Sequence, residues 1–571
     1  MTYKRSAVLK RLFWIGLLST LLWYGQPTPT LKTLAQNNTP ITARVAIHSI
    51  NNLDPTTLSR FDINGRDVVE NLFVGLTRLD AKQGQIVPAL ANDWEISSDG
   101  LTWTFNLRND IYWMQYQDGE VKPLRPVIAD DVVFAIQRAC DPRRPSPKTT
   151  NIYIVEGCRD VANLLDTWRI DDALLNELIG VKALDETTLQ IQLSLATPAS
   201  YFLTMTTLPE FRPLPRELVI GSGSWPTIAT LATSGAWLVE SWNESQMVLS
   251  HNPNWPLQRG NIERVEVLFT VNSDQVPLRL SSGTLDIARI RHQDTSALTL
   301  ALDTVIEEHE GGTLYLIGFS FEYPPFDNAL VRQALAQAVN RQGLVDYLIQ
   351  QGFDPFQVAT RFTPSSVIAA PTTEGATFNP SVAQQLLATA GYAQCQKFPN
   401  SLTLVVHNDA LEIAIGSYVV AQWNQNLGCS SIFQVATAPR QAIIDSAHGT
   451  VDRSEDSNTG RFALWLLSWT ADYPDANAWT NDALHCQFGF FRTGRICDQV
   501  DSLLDQGAST FNLAERATLY TQAEAGLFGA NGTFPVIPLL QRQSLIGHQR
   551  WLTGVAPYGP FQFDQWTIST N

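Results

Sequence analysis

Cations are scarce in this chain. Lysine and arginine number 39 against 55 aspartates and glutamates, for a net charge of −16. Nucleic-acid binding needs a basic surface, so this balance excludes it as a main role. Charged residues make up only 16% and hydrophobic residues 44%, which excludes a disordered chain and leaves ample core. After residue 36 no segment is long and apolar enough for a transmembrane helix. The motifs of covalent and metal-assisted catalysis are missing: there is no GxSxG, no HExxH and no phosphate-binding loop, and the histidines stand singly. Cysteine is sparse and no CxxC occurs. His485 beside Cys486 has no further ligand at zinc spacing, so neither a metal nor a cofactor is expected. Asp452 to Gly460 is acidic, but Ser457 stands where a calcium loop of the EF-hand type needs glycine.

What is present begins with an export signal. Lys4, Arg5, Lys10 and Arg11 form a basic start, Leu12 to Gly25 is an apolar run of signal-peptide length, and Thr33-Leu34-Ala35 is an acceptable cleavage site. The expectation is a periplasmic protein whose mature chain starts near Gln36; the alternative is an uncleaved membrane anchor. Six cysteines in an exported chain point to disulfides, and the short spacings favour Cys140 with Cys158, Cys395 with Cys429 and Cys486 with Cys497.

A chain of 571 residues is too long for one ordinary domain. Its first half reads as strand-rich. Thr42 to Ile47 alternates as a strand, and Val68 to Leu76 is apolar enough for a helix. Ser98-Asp99-Gly100 is a hairpin turn between alternating strands. Ala129 to Arg138 reads as a helix capped by Asp130. Thr188 to Leu193, Gly235 to Val248 and Arg264 to Val271 add strands and a hairpin. The pattern changes near residue 313. Leu314 to Phe319 is an apolar strand, and Asp327 is placed to cap a helix carrying Val331, Leu335 and Val339 at four-residue spacing. Helices at Ser381 to Ala390, Leu411 to Asn426 and Ala514 to Phe528 then alternate with strands at Leu402 to His407, Phe462 to Trp469 and Phe534 to Leu540, an α/β organisation.

The stretch Arg461 to Asp475 is the most informative. Its first part is almost continuously apolar, as in a strand buried on both faces. It ends in a turn carrying two carboxylates, Asp472 and Asp475. One reading is a core strand followed by a solvated turn, with Asp475 shaping the turn. The other is a carboxylate set between aromatics to hold an ammonium group.

Several blocks together resemble the family of solute-binding proteins of ATP-driven importers, in the class of the oligopeptide- and dipeptide-binding proteins. They are Pro88 to Glu95 with Phe105 to Arg108, Ala129 to Phe134, Gly180 to Asp185, Asn252-Pro253-Asn254-Trp255, and Pro324 to Asn328 running on to Arg341. The resemblance implies a two-lobed α/β periplasmic-binding-protein fold with an extra subdomain on the first lobe. It divides the chain into a signal peptide at 1–36, first lobe at 37–85, extra subdomain at 86–205, first lobe again at 206–312, second lobe at 313–535 and a return to the first lobe at 536–571. It implies a peptide swallowed between the lobes, permease subunits of an ABC transporter as partners, and a monomer. Asp472 falls on the aspartate that holds the ligand's α-amino group, Ser468 and Thr470 on positions whose backbone pairs with the peptide, and Trp469 on an aromatic lining the cleft. Phe61 to Gly65, with Ile63 and Asn64, corresponds to the opposite strand-like wall. Two departures stand out: Leu466 occupies the place of an arginine, and Lys148 stands where an aromatic is expected.

The reading is a non-enzymatic binding component that delivers peptides to a permease. The alternatives are the same role for an opine, an oligosaccharide or a metal chelate, a chaperone of unfolded chains, and a secreted hydrolase. The missing catalytic motifs weigh against the hydrolase.

Overall fold

One large sheet threads the whole chain. In spatial order its strands are Trp237–Trp242, Gln246–His251, Arg264–Leu268, Thr42–Ala46, Ile287–Ile290, Val536–Gln549, Thr304–Phe319, Leu464–Thr470, Leu402–His407 and Phe433–Ala438, with Phe356–Val358 pairing off the path against Val536–Gln549. The structure is a computed structural model that describes residues 39–50, 52–58, 62–80, 82–144, 149–195, 198–221, 225–429, 431–449, 461–556 and 559–569. The export signal with Ala35, Phe61, Lys148 and the acidic stretch 452–460 lie outside them. Among the described residues no helix is long and apolar enough to cross a membrane.

Two large hydrophobic cores sit on this sheet, with a smaller cluster around Leu280, Leu285 and Leu298. The first gathers Val45, Val68, Trp103, Phe105, Ile136, Phe202, Trp237 and Val265, and takes in Phe561, Phe563 and Trp566 from the C-terminal end. The second runs from Leu314 to Leu540. Residues 86–205 share the first core; their own four-stranded antiparallel sheet is Ala91–Ile96, Thr102–Leu107, Thr188–Gln192 and Val181–Asp185. Two long antiparallel strands connect the cores. Thr304–Phe319 pairs with Val536–Gln549, in one register up to Glu310↔Gln543 and, after a bulge at Gly311-Gly312, in another from Leu314↔Gln541. Both glycines suit this bend. A Cβ on Gly311 would sit 2.4 Å from the Arg542 carbonyl oxygen.

Local signals mostly act as the residues suggest. Gly100 takes φ +75° in the turn between Ala91–Ile96 and Thr102–Leu107, a conformation open to glycine at little cost. The expected caps shift by one residue. The helix Ala129–Cys140 starts at Ile128, and Asp131 rather than Asp130 reaches back to the Ile128 amide at 3.0 Å. Asp131 also receives Arg125 and the Trp113 indole, which holds it inward. Asn328, not Asp327, caps Ala329–Gln337 by accepting from the Leu330 amide at 2.9 Å. The helix expected at Val68 to Leu76 is Ile63–Leu72, capped by Asp62. All three cysteine pairs adopt the expected partners, each with a Cα separation of 5.2 Å.

Candidate functional site

The strand Leu464–Thr470 is central where it starts and an edge where it ends. Leu464 to Leu467 are buried, as their apolar side chains require. One side of the strand pairs along its whole length with Thr304–Phe319, including Tyr315↔Ser468, Leu314↔Trp469 and Thr313↔Thr470. The other side pairs with Leu402–His407 only at Leu404↔Leu464 and Val405↔Trp465. From Leu466 to Thr470 that side has no strand partner among the described residues, and Ser468, Trp469 and Thr470 are only half-buried. The Thr470 hydroxyl meets that of Thr313 at 3.0 Å. The Trp469 indole donates to the Ala478 carbonyl at 3.2 Å, and its ring packs against Phe490 and Phe491. The strand therefore offers unpaired backbone groups beside a fixed aromatic, the arrangement an added extended chain uses.

The turn that follows lies at the seam of the two cores. Ala471 packs against both, and Tyr473 belongs to the first although its neighbours in sequence belong to the second. Asp472, between them, is half-buried and makes no hydrogen bond or ion pair among the described residues. Asp475 differs in every respect. It is fully buried and binds Arg516 through both oxygens, at 2.6 and 3.1 Å. It also accepts from the Asn477 amide at 2.9 Å and from the Thr204 hydroxyl of the first core at 3.4 Å. The solvated-turn reading is thus wrong for Asp475, because a helix 41 positions away, Leu513–Phe528, delivers a guanidinium to it.

A third carboxylate completes the seam. A π-helical turn, Asn477–Asn481, leads into Asp482. The Tyr473 hydroxyl donates to Asp482 at 2.8 Å, and the Asn477 amide donates to Asp482 at 3.1 Å and to the Tyr473 oxygen at 2.8 Å. Tyr201 of the first core stacks on Tyr473 with ring centres 5.8 Å apart. Burial pushes the Asp482 carboxyl up to about 7; the Tyr473 bond works against this, and the charges of Asp472 and Asp475 add to it. Burial and the charges of Asp482 and Asp475 push the Tyr473 hydroxyl up as well. Among the described residues, the only guanidinium paired with any of Asp472, Asp475 and Asp482 is that of Arg516, and it is held by Asp475. A cation brought to this seam finds negative charge in excess.

The opposite wall does not have its expected form. Ile63 and Asn64 are the first residues of the helix Ile63–Leu72, not a strand, because Asp62 caps the chain into a helix just ahead of them. Ile63 is exposed, and neither residue shares a hydrogen bond, ion pair or ring contact with Ser468 to Asp482. Leu466 is buried in the second core, so no charge replaces the missing arginine there. Tyr201, Asn477, Asp482 and Arg516 escape a reading of the sequence, for no local spacing ties them to Asp472. The fold also brings Asp501 near His485 and Cys486, a ligand the spacing did not offer. Cys486 is spent in a disulfide and Asp501 in an ion pair with Arg495, so the trio is not free for a metal.

Residues 85–490 match the middle portion of the bacterial extracellular solute-binding proteins, family 5. The chain is 27% identical over 557 residues to the probable deoxycholate-binding periplasmic protein YgiS of Escherichia coli K12, covering 93% of each chain. It is 26% identical over 529 residues to the periplasmic oligopeptide-binding protein OppA of the same organism, covering 88% of this chain and 87% of that one. Among solved structures, the periplasmic murein tripeptide-binding protein MppA in an unliganded open form superposes with a TM-score of 0.76 at 22% identity, over 93% of this chain and 97% of that one. The fold is the two-lobed α/β architecture of periplasmic binding proteins, and the chain belongs to the bacterial extracellular solute-binding proteins of family 5.

Proposed function

We propose that this chain captures peptides in the periplasm and passes them to the permease of an ABC importer, working as a monomer without catalysis. The two cores act as lobes, with Thr304–Phe319 and Val536–Gln549 as the crossings between them. A peptide adds its backbone to the open edge at Ser468 and Thr470, lies against Trp469, and sets its terminal ammonium beside Asp472. The observation that carries this reading is the pairing of an unpartnered strand edge with an unpaired, half-buried carboxylate at the seam of the cores. Backbone pairing makes such a site indifferent to ligand sequence, while the carboxylate demands a free amino terminus. The names of OppA and MppA support a peptide. The name of YgiS points to deoxycholate, an anion, which the unpaired carboxylate of Asp472 would oppose. The export signal, with cleavage near Ala35, supports the periplasmic location.

The experiment is native mass spectrometry of the protein as exported, followed by calorimetry with tri-alanine and N-acetyl-tri-alanine. Retained peptides, and heat from the free peptide that acetylation abolishes, are expected. Equal binding of the two would overturn the ammonium reading, and deoxycholate binding in place of peptide would overturn the peptide reading.

A further inference from the structure

The seam contains one acid that ligand capture as described above leaves unused. Asp482 is partly buried, with its oxygens on the Tyr473 hydroxyl and the Asn477 amide, and is close enough to Asp472 for that charge to raise its affinity for a proton. Tyr473 directly follows Asp472 in the chain. The same network ends in an unsatisfied acceptor: the side-chain oxygen of Asn481, a residue 4% exposed, has no hydrogen-bond partner among the described residues, while its amide donates to Asn477. Buried acceptors are normally paired, so the network is short of donors. An ammonium group brings three.

We propose that Asp482 is a positioning residue of the ammonium site, acting on the ligand through Tyr473 and Asn477, and that it yields a proton to solvent as the cation settles beside Asp472. This rests on the peptide reading above.

The groups around Asp482 leave this as the consistent assignment. On the preceding loop stand Asp472 and Asp475, both anionic neighbours. From the helix Leu513–Phe528 come Arg516, which is committed to Asp475, and Tyr520, whose hydroxyl donates to Asn477 at 3.1 Å. The first core contributes Tyr201. From the helix Gln499–Ser509, Asp501 faces Arg495 and Asp505 faces His485. Among the described residues no cation is left to compensate a charge at Asp482, and near neutral pH the group is about half protonated. An arriving ammonium supplies that compensation. The carboxyl then ionises, its proton leaves to the buffer, and the Tyr473 and Asn477 bonds become charge-assisted. Asp482 thereby ties capture to the charge of the ligand, since an uncharged amino terminus gives the proton no reason to leave.

The test is calorimetry with tri-alanine in phosphate and in imidazole, buffers of different ionisation enthalpy, from pH 6 to 7. Linkage predicts release of about half a proton at pH 7, approaching one at pH 6, where the peptide's own amino terminus stays protonated throughout, with affinity falling by up to about tenfold per pH unit below 7. In Asp482→Asn both the buffer dependence and this pH slope disappear. Equal heats in the two buffers at pH 6 and 7 would overturn the proposal and leave the peptide reading standing. So would proton release that survives in Asp482→Asn. No heat at all from the wild type would overturn the peptide reading and this proposal with it. Should the variant fail to fold, infrared difference spectra of the wild type at pH 6 decide the matter. Adding tri-alanine removes a neutral carboxyl band if the proposal holds, and leaves the spectrum unchanged if it does not. Glu524, the other acid pushed up to about 7, accepts from the Phe362 and Thr363 amides and contributes no such difference.

Discussion

Asp472 and Asp475 lie three residues apart on one turn and have opposite physical situations. Asp475 is sealed in the interior with a two-pronged arginine, a backbone amide and a hydroxyl from the other core. Asp472 is half-buried and has no partner among the described residues. A carboxylate that already has its cation holds the fold together; the one that lacks it, at a seam between two cores, is the one we propose for the ligand's ammonium. Residue type and position in the turn are nearly the same, and the difference comes from where Arg516, the Asn477 amide and Thr204 point.

The largest loss of stability is expected at Asp475. Asp475→Asn leaves the Arg516 guanidinium buried without its counter-charge, and the loss of unfolding free energy in urea should reach about 3–5 kcal/mol. Replacing both partners by apolar residues, as in Asp475→Leu with Arg516→Met, should recover a large part of that loss, since neither charge is then stranded. A full loss in the double variant would mean that the turn geometry, not the ion pair, carries the stability.

The reciprocal change should move binding and leave folding alone. Asp472→Asn strands the ligand's ammonium in the closed cleft at a cost of about 2–5 kcal/mol, or roughly thirtyfold to several-thousandfold in affinity. Its unfolding free energy should stay within about 0.5 kcal/mol of the wild type, as for a side chain with no partner to lose. N-acetylated peptide should bind the wild type and Asp472→Asn about equally weakly, because both changes remove the same interaction. Additive losses in calorimetry would assign Asp472 a different role.

Asp482 sharpens the contrast by standing between the two cases. Its folded carboxyl titrates near 7, above its ordinary unfolded value, so the folded state binds the extra proton between about pH 4 and 7 and stability falls as pH rises through that window. Asp482→Asn removes the cost of the buried charge. The ligand-free variant should match the wild type near pH 4 and be more stable at pH 8 by on the order of 1 kcal/mol or more, read as the thermal midpoint at the two pH values. A variant less stable at pH 8 would show that the bonds to Tyr473 and Asn477 outweigh the burial of charge.

The smallest effect is expected at the contact from the first core to Asp475. Thr204→Val removes one long hydrogen bond from an acid that keeps its other partners, and should cost about 0.5–1.5 kcal/mol. Small-angle scattering with and without peptide would show whether this contact also resists lobe closure. A changed radius of gyration for the ligand-free variant alone would make Thr204 a latch rather than a minor prop.

Much of the molecule was legible from the order of residues. The apolar run Leu464 to Leu467 dictates a buried strand, Ser98-Asp99-Gly100 a hairpin, and the four-residue spacing of Val331 and Leu335 a helix, because each signal acts over a few positions. The cysteine pairs follow from their closeness in sequence. Asp472 was singled out by its motif, together with Trp469, Ser468 and Thr470.

Tertiary structure alone decided what each acid does. Which edge of Leu464–Thr470 stays open depends on where Leu402–His407 stops pairing, and that is set by how a separate strand lies in the sheet. The start of a helix at Ile63 turned an expected wall of backbone into a capped helix end. Arg516 reaches Asp475, Tyr201 covers Tyr473, and Asn477 holds Asp482 only because helices and loops distant in sequence converge at the seam. Local sequence fixes backbone conformation through sterics and short-range hydrogen bonds, whereas the charge state and partner of a buried acid depend on every group within a few ångströms, and only the folded chain brings those groups together.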